Sequence, residues 1–305
     1  MEPLNRTAAE LVDEAIDFAD ELRIDVHHLD NEAVVLDFGV EAAGGLEAGL
    51  LLAEIRTGGL ATVATRQGEL AGDPRPYVDL STDHPALALG ASRLAGWSLP
   101  DGLLGSGPAG LLRDDAAAPD GAPEETFDFA VLAVEGTTLP DEALAEHVAG
   151  ELDVPTAGTF LPTASAASVA GATARAADAA AAAIRRLEEL GADPGRVLTA
   201  SGTAPLPPVA ADEPTARARA ADAVAYAGRA HLLVGDAVDR ADALPFGATE
   251  HAGPSFEARL ADGAPDSSLP DGAVAPAAVT LDVPGEPSVA AGEPDEARLA
   301  DAWGR

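Results

Sequence analysis

Aromatic residues make up only 4% of this 305-residue chain while hydrophobic residues make up 47%, so its core must be built from alanine, valine and leucine. That hydrophobic share argues against a disordered acidic chain, which needs low hydrophobicity together with high charge. A length of 305 residues fits one large domain or, as expected here, two. There is no cysteine, which excludes disulfides, thiolate metal sites, iron–sulfur clusters and a cysteine nucleophile.

Charge narrows the setting. All eighteen basic residues are arginine, against fifty-two acidic ones, for a formal net charge of −34. Such a chain repels itself at low salt. At 1 M salt the Debye length falls to roughly 3 Å and most of that repulsion is screened. The lack of lysine also strips long apolar stems from the surface. The composition points to a cytoplasmic protein in a cell that holds molar salt inside. Nucleic acid is not an expected partner, because phosphates would be repelled and no basic stripe is present. The opening MEPLNRTAAELVDEAIDFADELR is acidic and amphipathic without a basic leading region, so a signal peptide is not expected. No run of about 18 apolar residues is free of charges and glycines, so no membrane span is expected.

Read along the chain, Thr7-Ala-Ala-Glu10 has the pattern of a capping box, and Leu11, Ala15, Phe18 and Leu22 share a helical face, predicting a helix over 7–22. Residues 30–40 read as a turn entering a strand. Gly44, Gly45 and Gly49 punctuate an apolar stretch and signal close backbone packing or approach to a ligand. A strand at Tyr77–Leu80 enters a polar turn, with a helix starting at Pro85. Residues 114–125 read as a solvated loop, 127–135 as a strand and 139–152 as a helix. From Pro162 to Leu190 the chain begins PTASAAS and continues as one long alanine-rich helix with Gly191 as its C-terminal stop. Residues 197–209 read as a strand followed by a Pro-rich turn, and strands at 231–234 and 276–283 and helices at 215–230 and 294–303 follow. Helices and strands alternate without a strict βαβ period, which favours a mixed α/β fold.

Four groups of residues invite a chemical reading. The segment GSGPAG, residues 105–110, lacks the third glycine of a dinucleotide-binding fingerprint; it is either a tight turn or a nest of backbone N–H groups for an anion. Ser81, Thr82, Asp83, His84 and Pro85 gather two hydroxyls, a carboxylate and an imidazole at a strand-to-helix turn, either as a helix cap or as a display of reactive groups. His27 and His28 are adjacent on a strand, point to opposite faces and lack a third ligand, so no metal is expected. Arg175 and Asp178 stand three apart on the alanine-rich helix and share a face. They form either a surface ion pair of little weight or a charged pair placed for function on a helix that is otherwise small and apolar.

These motifs together resemble the archaeal methenyltetrahydromethanopterin cyclohydrolase family. The resemblance covers nearly the whole chain. It is carried by ELVDEAIDFADELRI, FGVEAAGGLEAGL, STDHPALALGASRLAGW, GSGPA, PTAS followed at family spacing by Arg175-x-x-Asp178, PVAADEPT and VAPAAVTLDV. It implies a two-domain α/β fold with the pterin in a cleft between domains, for which the expected division is 1–85 with 190–305 and 86–189 apart. It implies a homotrimer with no metal or redox cofactor. The implied reaction adds water to the cationic methenyl bridge of a reduced pterin and opens it to the N5-formyl form. The family's acid/base is the glutamate of an Arg-x-x-Glu motif, which here falls on Asp178, with Arg175 holding its charge and orientation. Asp83 is then expected to stabilise the cation or order the water. Ser81, Thr82, His84, Pro85, Gly105, Ser106, Gly107 and Ser165 are expected to bind substrate.

Three positions depart from the family pattern. Asp178 is one methylene shorter than glutamate, and a misplacement of about 1 Å can slow a reaction on the order of 100-fold. Gly110 and Thr203 stand where the family carries arginines, and the aromatic-rich segment before the last long strand has become DGAPDSSLPDGAVAP. These changes leave two readings open, an active enzyme with rearranged pterin binding or a catalytically impaired relative.

Overall fold

The computed structural model describes residues 1–91, 97–113, 121–263 and 274–304; parts of the predicted 114–125 loop and of the DGAPDSSLPDGAVAP segment lie outside them. Along the chain, α1 (Leu4–Asp17) and α2 (Ala19–Leu22) lead into β1 (Asp25–His28), β2 (Val34–Gly39) and α3 (Leu46–Arg56), followed by the hairpin β3 (Thr62–Leu70) and β4 (Asp73–Thr82). A π-helical turn at Ala86–Ala91 precedes β5 (Trp97–Ser98), β6 (Leu104–Ser106), β7 (Ala130–Val131), β8 (Ala133–Glu135), α4 (Glu142–Leu152), β9 (Thr159–Ala164), α5 (Val169–Ala176) and α6 (Ala179–Glu189). The rest is β10 (Val197–Pro205), α7 (Glu213–Asp222), β11 (Arg229–Val234), α8 (Phe256–Ala261), β12 (Ala278–Asp282), β13 (Val289–Gly292) and α9 (Glu296–Ala302). The mixed α/β class expected from the alternation is what forms.

The elements gather into two units, residues 1–61 with 87–174 and residues 62–86 with 175–305. This partition joins the N-terminal helix to the segment after Leu87, whereas the sequence reading joins it to the C-terminal part.

In the first unit a seven-stranded sheet runs β1-β2-β9-β8-β6-β5, with β7 also paired to β9. Its middle strands are parallel, β2 and β8 each lying alongside β9. Strand β2 is buried along its whole length, as a strand inside a parallel sheet should be. A core of Val35, Leu132, Leu161, Trp97 and Leu103 is closed by Leu144 and Val148 of α4.

Helix α1 departs from its expected start. It begins at Leu4, so Thr7 and Glu10 lie inside it rather than capping it. The cap comes from far along the chain: the Glu125 carboxylate accepts the N–H groups of Leu4 at 2.7 Å and Asn5 at 3.2 Å. The buried face is Leu4, Ala8, Val12 and Ala15, while Phe18 is 52% exposed at the break before α2. Of the expected row Leu11, Ala15, Phe18 and Leu22, only Ala15 is fully buried, because the sheet packs against the neighbouring row that starts at Leu4.

In the second unit the six strands run β13-β12-β11-β10-β4-β3, all antiparallel except β11 with β12. Ala200, Gly202 and Ala204 of β10 are buried, and α6 lies on that face, with Ala179 and Ala182 against Ala204 and Val224. Tyr226, Phe246 and Phe256 supply an aromatic cluster on a core otherwise made largely of alanine.

Beside that cluster sits Asp222, fully buried at the end of α7. Its two oxygens accept the N–H of Phe256 at 2.7 Å and of Glu257 at 3.0 Å, capping α8 together with Ser255. Burial pushes its carboxyl up to about 7, against the lowering effect of those two N–H groups. The folded value lies above the unfolded one of roughly 4. Its contribution to stability is therefore complete below pH about 4 and is lost as pH rises through 7. Urea unfolding of wild type and Asp222→Asn at pH 5 and 8.5 is expected to show a larger fall for wild type, at about 1.4 kcal/mol per pH unit within that window. Parallel profiles would contradict the assignment.

Candidate active site

Strand β4 ends where the sequence places its polar corner. Leu80, Ser81 and Thr82 pair with Gly202, Ser201 and Ala200 of β10. Alternation along a strand sends successive side chains to opposite faces. Thr82 is accordingly buried on the α6 side with Leu80 and Gly202, and Ser81 is exposed on the other. The Thr82 hydroxyl accepts the His84 N–H at 3.0 Å, so it shapes the turn. Asp83 and His84 are exposed and Pro85 is buried at the start of the helical turn.

The expected long alanine-rich helix is two helices. Helix α5 ends at Ala176, and α6 starts at Ala179 with Asp178 as its N-cap residue. The Asp178 N–H bonds the Arg175 carbonyl at 3.1 Å, a tighter turn than the α-helical pattern. Helix hydrogen bonding resumes with Ala182 N–H to the Asp178 carbonyl at 2.9 Å. Arg175 and Asp178 are both half-buried. The Asp178 carboxylate makes no capping bond to the α6 backbone, and it stands at the positive end of the helix dipole. Gly191, with φ of +85°, ends α6 as expected.

Ala180 fixes where α6 meets the sheet. A Cβ on Gly202 would lie 2.4 Å from the Ala180 nitrogen and 2.9 Å from its Cβ, so only glycine admits this approach. Gly202 is the rung opposite Leu80. Ala180, two residues after Asp178, is thereby set down on β10 at Gly202, two strand residues from the rung that pairs Ala200 with Thr82. The second unit holds Arg175, Asp178, Thr82 and the Asp83–Pro85 turn, and Ser81 lies on the sheet face opposite Thr82.

The first unit carries the other expected residues. Strand β6 ends at Ser106, and Gly107 takes φ of +120° before a 3-10 turn starting at Pro108. The Gly110 N–H returns to the Gly107 carbonyl at 3.1 Å and closes a tight turn. Gly105 pairs with Trp97 and Val134 inside the sheet. Ser165 follows β9; its N–H bonds the Gly39 carbonyl and its hydroxyl accepts the Ala167 N–H at 3.0 Å. Ser165 precedes α5, whereas Ser106 is tied to the last turn of that helix, about 12 Å away along an eight-residue helix.

Two residues here were not singled out by sequence reading. Arg56, the last residue of α3, donates from Nε to the Ser106 hydroxyl at 3.3 Å and from Nη1 to the Ala174 carbonyl at 3.2 Å. Nothing local marks it, since its partners lie 50 and 118 residues away. Asp37, fully buried, accepts the N–H groups of Gly39, Val40, Glu41 and Ala42 at 2.6–2.9 Å and shapes the turn after β2. The DFG sequence, an Asx residue before a glycine at a strand end, is the signal that would have found it. The glycines nearby serve close packing: a Cβ on Gly49 would lie 2.5 Å from both the Ala170 carbonyl oxygen and the Thr173 Cβ.

The departures from the family pattern also have places. Thr203 lies on the sheet face away from Gly202, and its hydroxyl accepts from Arg66 Nη2 at 3.0 Å. Arg66 also pairs with Asp79 at 3.0 Å, so a guanidinium from β3 occupies the surroundings of Thr203. Gly110 is buried in the turn after Gly107. Among the described residues no group of three or more His, Asp or Glu side chains is placed to hold a metal ion.

A sequence profile of the family described as "Cyclohydrolase (MCH)" matches residues 3–303. The chain is 44% identical, over all of its length and 99% of the relative's, to a protein of Halobacterium salinarum named methenyltetrahydromethanopterin cyclohydrolase. Proteins of the same name from Methanocella arvoryzae and Methanosphaerula palustris are each 35% identical, covering 83% and 76% of this chain and 82% and 75% of their own length.

Proposed function

The chain belongs to the cyclohydrolase family, and from that premise we propose how it acts: it is a hydrolase that interconverts 5,10-methenyltetrahydromethanopterin, or a related reduced pterin, with the N5-formyl form. The observation that carries this is the full-length 44% identity to the Halobacterium salinarum protein. The residue roles rest on the family resemblance, and are supported by the half-buried pair Arg175 and Asp178 standing at a helix break.

The methenyl carbon is bonded to two nitrogens that share a positive charge. Water attacks that carbon while the Asp178 carboxylate takes one of its protons, leaving a neutral carbinolamine. The protonated Asp178 then gives that proton to N10, the C–N10 bond breaks, and the hydroxyl oxygen becomes the formyl oxygen as its proton leaves. The sum is one water consumed and one proton released. One carboxylate serves first as base and then as acid. Arg175 holds Asp178 charged and aimed through a charge-assisted contact. Asp83 offsets the substrate cation or orders the water. His84, Thr82, Ser81, Pro85, Gly105, Ser106, Gly107 and Ser165 are assigned to substrate binding. Loss of methenyl-pterin absorbance, followed with the purified chain in molar KCl, tests the activity; an unchanged spectrum would overturn it.

The resemblance to the family implies a homotrimer, and the composition points to cytoplasm with molar salt. The salt-adapted reading is supported by the charge and by exposed carboxylates such as Asp13, Glu14, Asp17, Asp20 and Glu21 in a row along α1 and α2. Among the described residues no helix is long and apolar enough to cross a membrane. Thermal midpoints are expected to rise steeply from 0.1 M to molar KCl as screening removes carboxylate repulsion, written as about 10 Å against 3 Å of Debye length. Equal midpoints would contradict it. Sedimentation in molar KCl reports the oligomer.

A further inference from the structure

We propose that Asn5 is a positioning residue: its buried carboxamide holds the turn at Gly107 and Pro108 in the shape in which Ser106 and Gly107 meet the pterin. The inference rests on the assignment of that turn to substrate binding.

Asparagine inside a helix is ordinarily a weak choice, because its side chain competes for backbone groups and favours caps and turns. Asn5 nonetheless stands in the first turn of α1 and is only 1% exposed. It is drawn into the helix because the Glu125 carboxylate caps α1 at Leu4 and Asn5, ahead of the capping-box pattern at Thr7. A buried amide must find partners for both its ends. Asn5 Nδ2 donates to the Pro108 carbonyl at 3.1 Å and to the Glu125 carboxylate at 3.1 Å. Asn5 Oδ1 accepts the Val131 N–H at 2.9 Å. A carbonyl only accepts and a backbone N–H only donates, so these partners fix which way the amide faces.

The consequence for the turn is direct. Helix α1, the turn after β6 and strand β7 all belong to the first unit, and one planar group joins them. The turn passes close to β7: Gly107 takes φ of +120°, and a Cβ on it would lie 3.4 Å from the Val131 carbonyl oxygen. The bond from the Gly110 N–H to the Gly107 carbonyl closes the turn on itself. It does not set the tilt of the turn against the sheet. Asn5 does, by gripping the Pro108 carbonyl with one end and the Val131 N–H with the other. Without the amide both buried groups lose that partner, which is costly enough for the turn to shift or admit water. Ser106, half-buried two residues before Pro108, shifts with it. Substrate binding is then weakened, while the proton transfers, in which this turn takes no part, are not.

The test compares Asn5→Ala, Asn5→Asp, Glu125→Ala and Gly107→Ala in molar KCl by kcat, KM and thermal midpoint. For Asn5→Ala, KM is expected to rise about three- to tenfold, the loss of roughly one well-placed hydrogen bond to substrate, with kcat within about twofold of wild type. Asn5→Asp keeps the acceptor for Val131 but donates to Pro108 only when its carboxyl is protonated. Its KM relative to wild type should therefore be high at about pH 8.5 and fall on acidification to about pH 6, whereas that of Asn5→Ala should stay flat. Glu125→Ala strips the cap of α1 but leaves the Pro108 and Val131 bonds, so its thermal midpoint should fall while KM stays within about twofold. Equal rises of KM in Glu125→Ala and Asn5→Ala would mean that loosening the helix is enough, and would overturn the inference. A KM ratio for Asn5→Asp that ignores pH also overturns it. So does a wild-type KM in Asn5→Ala; a raised KM in Gly107→Ala then leaves the binding role of the turn standing. A wild-type KM in Gly107→Ala overturns that binding role instead. Should Asn5→Ala not fold, Asn5→Ser carries the test: a raised KM at wild-type kcat supports the inference and a wild-type KM overturns it.

Discussion

Asp178→Asn is expected to abolish turnover while leaving pterin binding within about threefold, because the amide keeps the shape and hydrogen-bonding reach of the carboxylate but neither takes nor gives the proton. General acid–base catalysis by a positioned side chain contributes on the order of 100- to 10,000-fold, and the proposed mechanism routes both proton transfers through one group. The loss should therefore fall in kcat, with KM little changed. The measurement is methenyl absorbance decay in molar KCl, with binding followed separately by the substrate's spectrum at equilibrium. Hydrolysis at the wild-type rate would remove Asp178 from the mechanism. Asp178→Glu supplies the longer side chain of the family pattern and is expected to retain turnover, since the carboxylate remains at the helix break. It also bears on the impaired alternative: a gain of more than about tenfold in Asp178→Glu would mean that the shorter side chain limits the wild-type chain.

Gly202→Ala is expected to injure stability and rate together. The added Cβ would lie 2.4 Å from the Ala180 nitrogen and 3.0 Å from its Cα, and these are backbone atoms that cannot swing aside. Either β10 or the first turn of α6 must move. Overpacking of this kind destabilises by about 1–3 kcal/mol, or some 2–10 °C in thermal midpoint for a chain of this size. Because Asp178 precedes Ala180 by two residues, the displacement should reach the carboxylate and lower kcat by more than tenfold. Gly150 is the control: it lies exposed in α4, a Cβ there meets nothing within 4 Å, and Gly150→Ala should be neutral or stabilising by up to about 1 kcal/mol. Equal midpoints for Gly202→Ala and wild type would show that the helix–sheet approach has slack.

Much of the fold was legible. Strand β2 follows from VVLDFG, Pro85 does open a helical turn, and Gly191 does end α6, because each depends on neighbours in sequence. The corner Ser81–Pro85 and the pair Arg175–Asp178 were also legible as motifs. What those side chains face was less so: Ser81 and Thr82 read alike, yet strand alternation in a sheet covered by α6 on one side sends them apart. The capping box at Thr7 failed for a related reason. The pattern was present, but Glu125, 121 residues away, offered a better carboxylate to an earlier start.

By itself, the amino-acid sequence determined the small-residue core, the acidic surface and the family. Only the tertiary structure decided where α1 begins, that the alanine-rich segment is two helices, and that glycine at 202 lets the second of them touch the sheet. The physical reason is one of competition. A backbone carbonyl or N–H takes the best partner within reach, and for the Leu4 N–H that partner is a carboxylate 121 residues away that no local pattern announces.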